Sequence, residues 1–593
     1  MTFQQTVLFL IIGVTLIGFV WGRWRYDVVA GTALLASVYS GVVPADEAFV
    51  GFSHPAVITV GAVLVIGRAM QNAGLVGWLV RLLAPSRHST TTQVAAGSGL
   101  AMALSTVMNN VGALALMLPV TLRNASRAGR PASLLLIPLS FASMLGGLIT
   151  LIGTPPNIVI AGFRAEYGGT PFAMFDFAPV GLVVALFGLL YLSTIGWRLL
   201  PKTENSAGDG DLKGRLAAFV TDVRIPEGSP YDGIRVRDLE RLCDNELTVM
   251  VILRDGDHIH APRSIARLHA NDTLVIEGDP AVWEPLCDGI KFKALERKNH
   301  SGDIAGSRDV VVAEAVVMRN ARIVGTSVRG MRMHDNYDVN LLALSRSGQP
   351  LRSRLKHATF QVGDVLLLQG ESNTVDRVAR NLGCLVLSLR GTVSAAVRRR
   401  VWVPLAIFAT AVLATSAGVM PAPVALVSAA GAMILAGVVS LRDAYDSVEW
   451  PIIVLLGTLI PIGQAMKATG GAAVIAEALI SIAGAMPIWG IIALIMILSM
   501  LLSDLIHNTP TAVLMAPIGA GIAQSLQLSI DPFLMAIAVG SASAYLTPIG
   551  HQSNTLVLGP GGYRFFDFTR VGIGLECLIV AVGVPMIMLV WPP

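Results

Sequence analysis

Four short runs interrupt the apolar parts of this 593-residue chain with side chains that offer hydrogen bonds or oxygen ligands. They are Asn109-Asn110-Val111-Gly112, Gly153-Thr154-Pro155-Pro156-Asn157, His507-Asn508-Thr509-Pro510 and Thr547-Pro548-Ile549-Gly550-His551-Gln552-Ser553-Asn554-Thr555. Each sets amides or hydroxyls beside Gly or Pro. At membrane depth, non-helical backbone is tolerated only where protein or a cavity satisfies its polar groups. Carbonyls freed by such a break, together with Asn, Ser and Thr oxygens, suit a dehydrated Na⁺. Half-helix N-termini with amide and hydroxyl donors suit an anion. Taken singly, an Asn or Thr here serves as interhelical glue as readily as it serves as a ligand. Taken as two pairs at matching positions, the runs predict one shared site built from two hairpin tips.

The pairing rests on an internal repeat. Pro55, Gly61, Gly67, Ala69, Met70 and Gly74 recur 396 residues later as Pro451, Gly457, Gly463, Ala465, Met466 and Gly470, and Gly41-Val42-Val43 recurs at the same offset as Gly437-Val438-Val439. Asn110 and Pro119 match Asn508 and Pro517 at 398, and Thr154-Pro155 is matched to Thr547-Pro548. Phe175-Asp176-Phe177-x-x-Val180-Gly181 returns as Phe566-Asp567-Phe568-x-x-Val571-Gly572. Paired, Gly- and Pro-interrupted apolar segments in two halves are the sequence mark of a secondary transporter.

Composition agrees. The chain is 53% hydrophobic and 14% charged, with a mean hydropathy of +0.65, too apolar for a soluble protein of this length. A net charge of +4 gives no reason to invoke nucleic acid. Cys243, Cys287, Cys384 and Cys577 are far apart, so neither a zinc site nor a disulfide framework is indicated. The apolar opening at 7–20 has no basic start and a counterpart at 401–419, and is expected to be a membrane helix rather than a signal peptide.

The elements that must position the four runs are therefore membrane helices in 5–200 and 401–591. Residues 203–398 differ: charges are dense, and β-branched runs alternate with Asp-Gly and Ser-Gly turns. Gly233, Arg254, Gly256, Asp272 and Gly278 recur 92 residues later as Gly325, Arg346, Gly348, Asp364 and Gly370, which predicts two tandem α/β modules. The expected division is a first transmembrane repeat at 1–202, modules at 203–298 and 299–397, and a second transmembrane repeat at 398–593. Arg23, Arg25, Arg81, Arg87, Arg123, Arg127, Arg130, Arg198 and Lys202 in the first half, and Arg398 to Arg400, Arg442, Arg564 and Arg570 in the second, fall on one side if each half crosses five times. Five is odd, so the halves are expected to be inverted, with both termini outside and the insert cytoplasmic.

At these residues the chain resembles the divalent-anion:Na⁺ symporters, the sodium/sulfate/dicarboxylate family of the ion-transporter superfamily. That family carries Ser-Asn-Thr at each of two re-entrant hairpin tips. Here the positions read Asn109-Asn110-Val111 and His507-Asn508-Thr509, with closing prolines at Pro119 and Pro517. The Gly153–Asn157 run looks like the family's broken helix at the first Na⁺ site.

The resemblance implies a polytopic α-helical protein of two inverted repeats, each with a re-entrant hairpin. It further implies an elevator-type, commonly homodimeric, Na⁺-coupled carrier of sulfate or of di- and tricarboxylates. Anion binding is expected from Asn109, Asn110, His507, Asn508 and Thr509. Na⁺ is expected at Asn110, Gly153, Thr154 and Asn157 in the first half, and at Asn508, Thr547 and Pro548 in the second. The eroded Ser-Asn-Thr runs weigh against dicarboxylate, and the combination with the insert looks like the sulfate-permease branch, which implies sulfate. The insert resembles tandem RCK-C (TrkA-C) modules of K⁺-channel regulators, which implies a small cytosolic ligand at their seam or a dimerisation role. A bacterial inner membrane and lipid surroundings complete the expectation.

Other residues admit two readings each. His507 either meets an anion or caps a helix. Asp504, one turn from Asn508, either couples H⁺ or Na⁺ or lies at the aqueous edge. Asp176 and Asp567 are expected as helix N-caps. His258 and His260 are expected on a surface turn. A ligand-gated channel would need a TVGYG-like filter, which the sequence lacks. A cation/H⁺ exchanger would call for more intramembrane carboxylates than Asp504. No P-loop, GxGxxG or nucleophile–base pairing points to an enzyme.

Overall fold

A computed structural model describes residues 2–21, 24–73, 89–168, 170–201, 220–229, 231–242, 247–254, 257–260, 265–278, 293–294, 310–318, 321–331, 333–346, 349–351, 358–390, 402–475, 477 and 486–593. Gly74, Arg23, Arg81, Arg87, Lys202, Cys243, Asp255, Gly256, Cys287, Gly348 and Arg398 to Arg400 lie outside the described residues, as do the expected module boundaries.

Eight helices of the first half are α1 (Phe3–Trp21), α2 (Tyr26–Tyr39), α3 (Pro55–Asn72), α4 (Thr90–Ser105), α5 (Asn110–Arg127), α6 (Leu136–Gly147), α7 (Pro155–Gly168) and α8 (Ala178–Thr194). In the insert, α9 (Val236–Leu242) and α10 (Ser372–Leu382) accompany ten strands. The second half supplies α11 (Trp402–Ser416), α12 (Ala422–Leu435), α13 (Trp450–Ala468), α14 (Ile488–Leu505), α15 (Asn508–Ser525), α16 (Asp531–Ser541), α17 (Gln552–Gly561) and α18 (Phe565–Val590). In this order the second set matches the first, and the second half adds a seven-residue helix at Leu441–Ser447. Among the described residues, α3, α13, α14 and α18 are long and apolar enough to cross a membrane. The apolar helices α2, α6, α8, α11, α12 and α16 are shorter, as expected of chains broken by Gly and Pro.

The halves interlock. Within each, the hairpin's first helix packs on the two helices that matter most for the break: α4 on α6 and α8, α14 on α16 and α18. Across them, α3 packs on α12 while α2 packs on α13, and α7 packs on α15 while α17 packs on α5. Exchanging the halves leaves this list unchanged. The last helix of each half approaches the chain where the break begins. A Cβ on Gly181 would overlap the carbonyl of Leu148, and one on Gly572 would overlap that of Tyr545. That close approach explains why the Phe-Asp-Phe-x-x-Val-Gly run repeats. Its aspartates do not sit at the N-cap: Asp176 accepts from Ala173 N (2.8 Å) ahead of α8, and Asp567, the third residue of α18, accepts from Arg564 N (2.7 Å).

The insert folds as two antiparallel five-stranded sheets of identical order. The first runs β3 (Asp257–His260), β2 (Leu247–Arg254), β4 (Thr273–Gly278), β1 (Val220–Arg224), β5 (Lys293–Ala294). The second runs β8 (Gln349–Pro350), β7 (Asn340–Arg346), β9 (Val365–Glu371), β6 (Val310–Val317), β10 (Cys384–Arg390). His258 and His260 belong to β3 rather than to a turn. The 92-residue repeat has a physical cause in a bidentate clip. Arg254 holds Asp272 at 2.8 and 2.7 Å, and Arg346 holds Asp364 at 2.8 and 2.9 Å. Asp364 keeps the Arg346 guanidinium above its ordinary pKa. The seam between the sheets is apolar, formed by Val251, Val275, Val312, Leu342 and Leu367.

The second sheet also rests on the helical body. Strand β10 packs on α5 and β6 on α17, and Val316 is part of the same continuous core as the helices. At the contact, Gly363 faces Thr555 and Gly559 of α17, and a Cβ on Gly559 would overlap the Gly363 carbonyl.

Candidate functional site

The first half-site begins at the α4–α5 turn. Asn109 holds the N-cap position, its Oδ1 accepting from Val111 N at 3.4 Å. Asn110, the first residue of α5, is buried and lies 2.7 Å from Ser105 Oγ. With its amide nitrogen turned toward Ser105, Asn110 also donates to the carbonyls of Ser143 (3.2 Å) and Gly153 (3.1 Å). One side chain thus ties the hairpin tip to α6 and to the break at 148–154. Thr150 Oγ1 makes a second tie, donating to Thr106 O at 2.6 Å. Two glycines are required here: a Cβ on Gly147 would overlap the Asn110 carboxamide, and one on Gly153 would lie 2.6 Å from Gly147 O. Asn157 Nδ2 closes the break by donating to Gly147 O (3.2 Å) and Thr150 O (2.9 Å).

Two oxygens are then left over. Asn157 Oδ1 and Thr154 Oγ1 are buried, in residues 1% exposed, and have no hydrogen-bond partner. A buried acceptor without a donor is costly. A carboxamide oxygen and a hydroxyl oxygen three residues apart, both buried and unpartnered, are of the kind that suits a hard cation.

The second half-site repeats the framework. Ser503 Oγ lies 2.9 Å from Asn508 Oδ1 and donates to Ser541 O at 2.7 Å. Thr547 Oγ1 donates to Asp504 O (2.9 Å), and Asn554 Nδ2 donates to Ala544 O (2.9 Å) and Thr547 O (3.1 Å). These bonds fix the true correspondence. Thr150 matches Thr547, Gly153 matches Gly550, Thr154 matches His551 and Asn157 matches Asn554, all at 397. The expected match of Thr154-Pro155 to Thr547-Pro548 is therefore corrected by four residues. Helix starts agree with the corrected register, α7 at Pro155 and α17 at Gln552.

The two copies differ where ligands would bind. Asn554 Oδ1, unlike Asn157 Oδ1, accepts a hydrogen bond from Ser140 Oγ of α6 (2.8 Å). The oxygens of Thr547 and Pro548 are engaged as well: Thr547 Oγ1 also accepts from Gly550 N (3.0 Å), and Pro548 O accepts from Thr555 Oγ1 (2.8 Å). Asp504 is not at an aqueous edge. It is 4% exposed, and Oδ1 accepts from Leu546 N (3.0 Å) and Thr547 N (3.3 Å), fastening the second break to α14.

His507 is the N-cap residue of α15, and its ring lies 5.7 Å from that of Tyr26 on α2 and 6.4 Å from that of His551. Thr509 is buried in the first turn of α15. The structure thus brings Asn110, Gly153, Thr154 and Asn157 into one break, and Asn508, Thr547 and Pro548 around the other. Sequence reasoning missed Ser105, Ser503 and Thr150, and named His551 and Asn554 in the fourth run without assigning them a role. Ser105 and Ser503 had a usable signal, since each precedes the matched Asn by five residues. Among the described residues, no cluster of three His, Cys, Asp or Glu side chains is placed to hold a metal.

Comparison with known proteins places this geometry in a lineage. The model of the citrate transporter family (CitMHS) matches residues 16–540. An uncharacterized transporter of Synechocystis, sll0640, is 30% identical over 577 residues, covering 94% of this chain and 93% of that protein. A putative sulfur deprivation response regulator of Chlamydomonas reinhardtii is 25% identical over 582 residues, 96% of this chain and 98% of that protein. Sodium/sulfate cotransporter 2 of the same alga is 26% identical over 369 residues, 58% of this chain and 41% of its own length.

Proposed function

The chain belongs to the citrate transporter family, and from that premise we propose a Na⁺-coupled secondary transporter of a divalent anion, sulfate first and di- or tricarboxylate second. The observation that carries this is the pair of interlocked half-sites, each an Asn-headed hairpin stitched to a Gly-containing break. Sulfate is favoured by the algal relative named a sodium/sulfate cotransporter and by the sulfur-related name of the algal relative matched over nearly its whole length. The family's own description, a citrate transporter, favours the carboxylate alternative.

In this proposal Na⁺ is held in the first half by Asn110, Gly153, Thr154 and Asn157, where the two partnerless oxygens lie. Asn508, Thr547 and Pro548 would serve the second half through backbone oxygens, those of Thr547 and Pro548 exchanging their present donors, Asn554 and Thr555, for the ion. The anion would meet Asn109, Asn110, His507, Asn508 and Thr509 at the hairpin tips. The halves are inverted in the membrane, the hairpins are re-entrant, and α4–α8 with α14–α18 slide as one body against α1–α3 and α11–α13. The exchange of contacts between halves supports this arrangement. The protein is a homodimer of a bacterial inner membrane, with both termini outside. Its two RCK-C-like modules lie in the cytoplasm and bias transport when a cytosolic ligand binds.

The test is uptake of radiolabelled sulfate into proteoliposomes with and without an inward Na⁺ gradient, competed by unlabelled succinate. Na⁺-driven sulfate uptake that succinate leaves intact is the expected result. Succinate uptake without sulfate uptake would move the protein to the carboxylate carriers, and uptake indifferent to Na⁺ would remove the coupling.

A further inference from the structure

Glu166, near the end of α7, is held from two other elements at once. His54 is the N-cap residue of α3, and its Nδ1 accepts from Ala56 N at 3.2 Å. A nitrogen that accepts carries no hydrogen, so the ring bears one on Nε2, which lies 3.3 Å from Glu166 Oε1. Gln464 Nε2 of α13 donates to the same oxygen at 3.2 Å. Lys467, one turn further along α13, donates from Nζ to Glu166 O at 3.1 Å and stands 3.9 Å from the centre of the Tyr167 ring. The apolar part of this face is closely fitted. Gly162 lies one turn before Glu166, and a Cβ there would stand 2.6 Å from His54 Cε1. Phe163 covers Gly463 of α13, reaching to 3.2 Å of where its Cβ would be.

In the proposed division α7 belongs to the sliding body, and α3 and α13 to the body it slides against. Packing inside each body obeys the exchange of halves, α3 on α12 with α2 on α13, and α7 on α15 with α17 on α5. The contact between bodies breaks it: α3 packs on α7, while α13 does not pack comparably on α17 among the described residues. At the repeat offsets His54 matches Trp450, Glu166 matches Tyr563 and Gly463 matches Gly67. Trp450 is 56% exposed, and Tyr563 turns instead to Ser133 O and Ile137 N ahead of and within α6. Among the described residues, nothing stands within 4 Å of a Cβ on Gly67. When inverted repeats alternate access, the two halves exchange surroundings between the end states. A contact between bodies that only one half makes therefore belongs to one end state.

We infer that Glu166, with His54, Gln464 and Lys467, forms a latch between the two bodies, closed in this end state and opened each time the sliding body moves. The latch deepens the proposed function and rests on its sliding-body reading. Glu166 is a positioning residue: its partners are side chains of the opposite body rather than the oxygens of either break. Releasing it costs the hydrogen bonds from His54, Gln464 and Lys467 together, so it sets how long the carrier dwells in this state.

The test uses the full-length protein carrying His54→Cys together with Glu166→Cys, bridged in proteoliposomes by a short bifunctional methanethiosulfonate and released by a thiol reductant. Each single-cysteine variant, treated alike, controls for the native cysteines. Bridging should cut sulfate uptake about tenfold or more, reversibly, while sulfate still stabilises the bridged protein against heat in detergent. Bridged protein that transports at its reduced rate would show that α3 and α7 do not part, and would overturn the latch. Without bridging, Glu166→Ala should shift sulfate KM and turnover together by about threefold to tenfold, because the populations of the end states enter both. His54→Asn keeps a capping oxygen for Ala56 N but not the reach to Glu166, and should behave likewise. Glu166→Gln keeps the acceptor and should retain near-wild-type constants. Kinetic constants unchanged in Glu166→Ala, with only the yield of folded protein lowered, would reduce Glu166 to a packing residue. If the cysteine pair resists bridging, those constants decide alone. A wild type that takes up neither sulfate nor succinate sinks the transport assignment and the latch with it, whereas an active wild type unaffected by bridging sinks the latch only.

Discussion

Asn157 and Asn554 occupy equivalent places and make equivalent nitrogen bonds, yet their oxygens face different fates. Asn157 Oδ1 has no donor, whereas Asn554 Oδ1 receives Ser140. Removing Asn157, and removing the serine that donates to Asn554, should therefore give different phenotypes. Asn157→Ala should raise the half-saturating Na⁺ concentration by about tenfold, the equivalent of about 1.4 kcal/mol. Ser140→Ala should leave the Na⁺ dependence alone and cost about 1 kcal/mol of stability, because it strands a buried carboxamide oxygen. Na⁺ titration of uptake, read beside thermal unfolding, separates the two. The Asn pairs were legible in the sequence because a carboxamide in an apolar run is conspicuous. The serines that receive them were not, because single serines are common in such helices. The register of the break was misplaced for a related reason. Thr-Pro dipeptides match by residue type, but the physical match is set by bonds from an Asn to carbonyls seven and ten residues back.

Among the elements, the crossing of α8 and α18 over the two breaks is the most constrained. Gly181→Ala or Gly572→Ala places a methyl group against the Leu148 or Tyr545 carbonyl, which neither helix can relieve without shifting. Each should destabilise the protein by about 1–3 kcal/mol. The shift would also move the break it rests on, so transport should fall more than folding does. Uptake normalised to monodisperse protein measures this. The helices themselves were legible, since the repeat named the last one in each half by its Phe-Asp-Phe run. What that run does was less so, because a glycine's close approach is a long-range fact that no local pattern states.

At the scale of the whole molecule, the insert enters between α8 and α11 and rests on α5 and α17. Its tandem sheets were legible from a 92-residue period that the Arg–Asp clips explain. Its seat on the helices was not, because one glycine in a turn and another in a helix give no sign that they touch. Gly559→Val should unseat the second sheet while leaving both bodies folded. Limited proteolysis of the insert should then quicken several-fold, and deletion of 206–392 should abolish any effect of cytosolic ligands on uptake. Equal proteolysis rates for Gly559→Val and wild type would mean that the sheet does not depend on this contact.

The seat of Gly363 on Gly559 lies one turn beyond Asn554, so the same short helix carries the site at one end and the module near the other. Linkage requires influence to run both ways. The module then serves as an instrument: if the proposed transport holds, a fluorophore on the 361–364 turn should change its signal as Na⁺ and anion come and go, reporting occupancy without any radioactive substrate.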